Sequence, residues 1–126
     1  MKFNLLPSSE IEKLRLNEQI IRDTASQVIK DFASFGMEVT FPDELSMAYE
    51  TLFKQLKIII AEFLEREPEK LSALLYHIDL DENKMKSWPG LFTGHEFICD
   101  MILEREFLKV LTRHYFKSQS SSSLTD

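Results

Sequence analysis

The chain has 126 residues, the size of one domain, and its 44% apolar and 29% charged residues exclude a wholly disordered or low-complexity protein. Its net charge of −6 sets the whole-molecule field against phosphate backbones, so general nucleic-acid binding is not expected. A lone cysteine, Cys99, excludes an intramolecular disulfide, and no apolar run approaches the roughly 20 residues of a membrane-spanning helix.

A single thiol suits a reducing compartment, and residues 1–7 contain no long apolar core of a secretory signal, so the expected location is the cytoplasm. Three Gly and four Pro leave few turns, which favours long helices over many short strands. A first helix is predicted from Ser9, where Ser9 and Glu12 have capping-box spacing. Ile11, Leu14, Ile21, Ala25, Val28, Phe32 and Phe35 keep one face of it apolar, and Gly36 can take the left-handed position just past its end. One continuous helix over this span would be about 40 Å long.

Residues 37–41 alternate apolar and polar side chains, a strand pattern with no second strand in the chain to pair with. They are expected to form an extended connector, the sharper alternative being pairing with their own copy in a homodimer. Pro42, Asp43 and Glu44 suit the first turn of a second helix. Leu45, Ala48, Leu52, Leu56, Ile59 and Phe63 form its inner stripe, and Tyr49, Phe53, Ile60 and Leu64 widen it. Ile58-Ile59-Ile60 alone would read as a strand, but it sits inside this longer helical pattern. So wide an apolar face predicts a central helix.

Pro68 ends that helix or starts the next, a short one carried by Leu71, Leu74, Leu75 and Ile78. Asp79 with Glu82 has capping-box spacing for a helical turn over 81–87, and Trp88-Pro89-Gly90 breaks the chain. Thr93 with Glu96 opens a last long helix whose apolar set includes Phe97, Ile98, Met101, Ile102, Leu108, Leu111 and Tyr115. The Ser-rich stretch 118–126 has little to bury and is expected to be a disordered tail. The expected architecture is one all-α domain over 1–117, a bundle of four to five helices with antiparallel neighbours.

No motif assigns a biochemical activity. Asp79, Asp81 and Asn83 match the first positions of a calcium loop, but Lys84 stands where the loop needs Gly and Gly90 where it needs a bidentate Glu. His95 and Cys99 lie four apart on one helix face, yet a structural zinc site needs four ligands and no second cysteine exists. His77 and His114 could join them only if the fold gathers all four. The Glu-x-x-His spacing of di-iron bundles is absent, since Leu74 precedes His77 and Leu111 precedes His114 by three. No phosphate-binding loop and no Gly-x-Ser-x-Gly elbow occurs. Catalytic, cofactor and metal residues are therefore left unassigned.

Two features point to a partner instead. Arg105, Lys109, Arg113 and Lys117 recur every four residues and make a basic stripe on the last helix. Trp88, the only tryptophan, lies in a loop, where aromatic anchors often act as hot spots. The plain alternatives are cations complementing the helix dipole and a tryptophan closing the end of the core.

The segment Leu71-Ser72-Ala73-Leu74-Leu75-Tyr76-His77-Ile78-Asp79-Leu80-Asp81-Glu82, and the stretch from Asp31-Phe32 through Gly36 to Phe41, resemble small uncharacterised bacterial all-α proteins. In these an aspartate after a Tyr-x-Ile helix end caps the next turn. The resemblance spans about residues 15–85 and implies a bacterial cytosolic helical protein. It carries no activity, so no functional residue is transferred from it.

The expected function is that of a non-enzymatic helical interaction module, acting on a protein partner or on itself as a homodimer, without a membrane. The alternative is a small metal-dependent or other enzyme using His95 and nearby acids. A third reading is a regulator with a nucleic-acid face on the last helix.

Overall fold

The computed structural model describes the backbone of residues 8–80 and 95–124, with side chains from 9 to 80 and from 95 to 117. Five α-helices account for most of it: α1 (Ser8–Arg15), α2 (Glu18–Ala33), α3 (Ala48–Arg66), α4 (Pro68–Ile78) and α5 (Glu96–Leu124). A single 3₁₀ turn (Leu45–Met47) leads into α3, and no strand occurs among the described residues. The all-α bundle expected from periodicity is the observed fold. Trp88, the acidic turn at 81–83 and the Thr93 cap lie outside the described residues. The Ser-rich end beyond Lys117 is described in its backbone only, as the last turns of α5 up to Leu124.

The predicted 40 Å first helix is two helices. Leu16 and Asn17 donate to the carbonyls of Lys13 and Leu14 (3.1 Å each), tightening the last turn of α1. Asn17 then adopts an extended conformation and its side chain accepts the Ile20 N–H at 3.0 Å, capping α2. Leu16, at the break, is 81% exposed. The sequence hides this break because Leu14 and Ile21 keep the apolar spacing across it.

Gly36 closes α2 as expected. At φ +77° it donates to Ala33 O, and Met37 donates to Phe32 O, both at 3.0 Å, which is the Schellman pattern. Beyond it the 37–41 segment is the extended connector. Its strand-like bonding is satisfied by a side chain: Gln55 of α3 accepts from Thr40 N–H at 2.8 Å and donates to Thr40 O at 3.0 Å. Pro42 precedes the 3₁₀ turn and is not part of α3, which begins later than its apolar pattern suggested.

Pro68 both follows the end of α3 and occupies the first turn of α4. At the other end of α4, Asp79 takes the left-handed role that Gly36 takes after α2, with φ 72°. Its N–H reaches Tyr76 O (3.0 Å) and Leu80 N–H reaches Leu75 O (2.8 Å). Asp79 therefore closes the helix before it. The helical turn it was expected to open lies outside the described residues.

The main core joins α2, α3, α4 and α5 through Phe32, Leu56, Phe63, Leu74 and Ile102, each buried almost completely. At about 1.5–3 kcal/mol for each such side chain, this burial dominates the stabilising side of folding. A smaller cluster, Ile20, Phe107, Val110 and Leu111, receives Ile11 and Leu14 of α1. Arg15 fastens the same corner, its guanidinium 4.3 Å from the Phe107 ring centroid and 2.6 Å from Glu104. No described helix is long and apolar enough to cross a membrane.

Candidate interaction groove

The helices α2 and α5 pack side by side but leave an open polar groove along their outer seam. One section, about 490 Å³, is lined by Gln19, Asp23, Ser26, Gln27 and Lys30 from α2 and by Arg113, His114 and Lys117 from α5. A second, about 410 Å³, adds Arg105, Lys109 and Thr112 while sharing Gln27, Lys30 and Arg113 with the first. The shared residues make the two sections one continuous feature. All four cations of the predicted stripe line it, and α2 contributes a fifth, Lys30, that periodicity on α5 could not reveal.

The stripe divides into two kinds of cation. Arg105 is largely buried and its Nη2 lies 2.8 Å from Asp79 Oδ2, so it ties α5 to the end of α4. Lys109 is also mostly buried, with Nζ 2.7 Å from Glu106 Oε1 and 3.4 Å from Asp31 Oδ2. Lys30, Arg113 and Lys117 are exposed, and none forms an ion pair within 4 Å among the described residues. At longer range Arg113 helps His114 and Gln19 hold the Asp23 carboxyl below its ordinary value, against the opposing effect of burial. His114 Nε2 is 2.6 Å from Asp23 Oδ2 across the groove.

Beneath Lys109 lies a feature that the sequence reading missed. Asp31 of α2 and Glu106 of α5 are 3% and 0% exposed. Asp31 receives the Gln27 amide at 3.1 Å and contacts His77 Nε2 of α4 at 3.2 Å. As an ionised group Glu106 would hold its charge on two buried oxygens, with the Lys109 ammonium 2.7 Å from Oε1. It would also face a second carboxylate.

A proton resolves both problems. Burial pushes the Glu106 carboxyl up to about 8, and its hydrogen bond to Asp31 adds to the rise. Burial also opposes charge on Asp31, but the bonds from Glu106 and Gln27 together with Lys109 outweigh it and lower its value. The opposite shifts of the two groups favour a carboxylic acid on Glu106 beside a carboxylate on Asp31. Both positions carried a signal in the sequence. Glu106 lies four after Ile102 and four before Val110, on the apolar face of α5, and Asp31 lies three after Val28.

The structure separates the potential metal ligands. His95 is half-buried, while Cys99 is fully buried and its thiol is pushed up to about 12, first by burial. His77 and His114 face different carboxylates. Among the described residues no group of three His, Cys, Asp or Glu side chains is placed to hold a metal. Comparison with protein-family models, with curated proteins and with solved structures finds no match.

Proposed function

We propose that this protein is a cytoplasmic, non-enzymatic interaction module that takes an acidic segment of a partner protein along the α2–α5 groove. The supporting observation is the convergence of Lys30, Arg113 and Lys117 on one groove, without ion pairs among the described residues, in a chain of net charge −6. An acidic partner is repelled by the molecule as a whole and drawn to this seam, which favours orientation and capture rate. Four residues of helix rise about 6 Å, the separation of Arg113 and Lys117 along the axis. Alternate side chains of an extended chain are about 6.6–6.8 Å apart. A segment with acidic residues at every second position can therefore meet both cations in turn, with Lys30 opposite.

A blocked peptide of alternating glutamate and serine tests the reading. Fluorescence anisotropy at low salt should detect binding that weakens as salt is added. Lys30→Glu combined with Arg113→Glu should lower affinity by about tenfold or more while the far-UV spectrum stays unchanged. Equal binding by the two proteins, or tighter retention of single-stranded DNA than of the peptide, would overturn it. Light scattering of the free protein tests the homodimer in the same samples, a monomer mass leaving the groove to a foreign segment.

A further inference from the structure

Lys109 belongs to two systems at once. It lines the groove, and its ammonium lies above the buried Asp31–Glu106 pair. From this geometry we infer that the carboxyl pair is a proton gate for the groove. While one proton is shared between Asp31 and Glu106, Lys109 balances a single charge; when it is lost, two carboxylates claim the ammonium and the groove loses part of its attraction for anions. The inference rests on the groove being the docking site for an acidic segment, and it adds how that site is regulated.

The charge arithmetic is simple. With Glu106 protonated, Asp31 and Lys109 sum to zero, and the groove keeps the positive charge of Lys30, Arg113 and Lys117 set against the Asp23 carboxylate. With Glu106 ionised the same cluster carries one net negative charge directly under the groove floor. The transition falls within reach of physiological pH, because burial holds the Glu106 proton up to about 8.

The groups facing the pair are few. From α2 they are Asp31 itself, with the Gln27 amide, and from α4 His77, which contacts Asp31. On α5, Lys109 touches Glu106, and neighbouring Arg105 is engaged by Asp79 beyond α4. Among the described residues, the cation of α3 that pairs with α5 is Lys57, on Glu96 at the far end of the helix. Thermodynamic linkage makes the effect reciprocal: an anion in the groove should draw a proton onto Glu106.

The test is peptide affinity as a function of pH, using the same blocked glutamate–serine peptide, whose glutamate side chains stay ionised throughout. Wild-type affinity at low salt should fall about threefold to tenfold between pH 6.5 and 9, the effect of one added charge at groove distance. Glu106→Gln keeps a donor for Asp31 and cannot ionise, so its profile should be flat over the upper part of that range. His77 and His114 remain in this variant, so the difference between the two profiles belongs to Glu106. If Glu106→Gln fails to fold, calorimetry on the wild type in buffers of different ionisation enthalpy replaces it. Uptake of a fraction of a proton on binding near pH 8 is expected, and no uptake overturns the gate. Binding that is tight but independent of pH overturns the gate and leaves the groove standing. Absence of binding at pH 6.5 overturns the groove and the gate together.

Discussion

Glu106 should leave its mark on stability as well as on binding. Its folded value of about 8 stands well above the ordinary 4.5, so between these limits the folded chain holds a proton that the unfolded chain has released. Stability from this group is therefore fully present below about pH 4.5 and is lost as pH rises towards 8. Glu106→Gln should flatten that slope, matching wild type near pH 5 and exceeding it near pH 9 in urea midpoints. Parallel curves for the two proteins would show that Glu106 does not titrate in this range. Asp79 makes a different residue-scale case, because its backbone sits where Gly36 sits after α2. Asp79→Gly should fall within about 0.5 kcal/mol of wild type, with the left-handed strain relieved and an exposed ion pair lost. Asp79→Ala keeps the strain without the polar side chain that tolerates it, and should cost about 1 kcal/mol. Equal midpoints for the two variants would remove the conformational explanation.

At the scale of the helix, α5 shows why a charge stripe read from spacing is only half a statement. Arg105, Lys109, Arg113 and Lys117 share a period, but Arg105 is largely buried against the exposed carboxylate of Asp79, Lys109 lies over the buried Asp31 and Glu106, and the last two face solvent. Periodicity alone would treat Lys109 and Arg113 as equally tolerant of reversal to Glu; the structure confines that tolerance to the outer pair. Lys109→Glu would put a third carboxyl group beside Asp31 and Glu106 and should destabilise by about 3–5 kcal/mol, the loss typical of breaking a buried pair. Arg113→Glu, with no ion pair to lose, should stay within about 0.5 kcal/mol. Chemical denaturation of the two single variants checks the contrast, and similar losses would mean that Lys109 is ordinary surface. The same limit applied to α1 and α2. Their apolar stripe was visible, but the break at Asn17 depends on one side-chain hydrogen bond to Ile20 that periodicity does not contain.

Across the whole molecule, the apolar pattern was the legible part. Ala25, Val28, Phe32, Leu52, Leu56, Phe63, Leu74 and Ile78 were assigned to inward faces from spacing alone, and all are buried. Side chains whose placement needs a partner from a distant helix were not legible in this way. Asp31 and Glu106 lie far apart in sequence and were passed over because carboxylates are usually solvated. Lys30 joined the groove only once α2 lay beside α5. Gln55 similarly supplies Thr40 with the pairing that a second strand would have given. The packed interior has a consequence for how its internal motions can be followed. Cys99 is 0% exposed in the main cluster, so a thiol reagent can reach it only when that region opens. Its alkylation rate in native buffer is thus a direct read-out of local opening, without an added label. Where reclosing outpaces reaction, the ratio of native to unfolded rates gives the opening free energy at Cys99. A value equal to the global unfolding free energy would make the first turns of α5 part of the last unit to come apart, and a smaller one would identify an early breathing motion at that end of the main core.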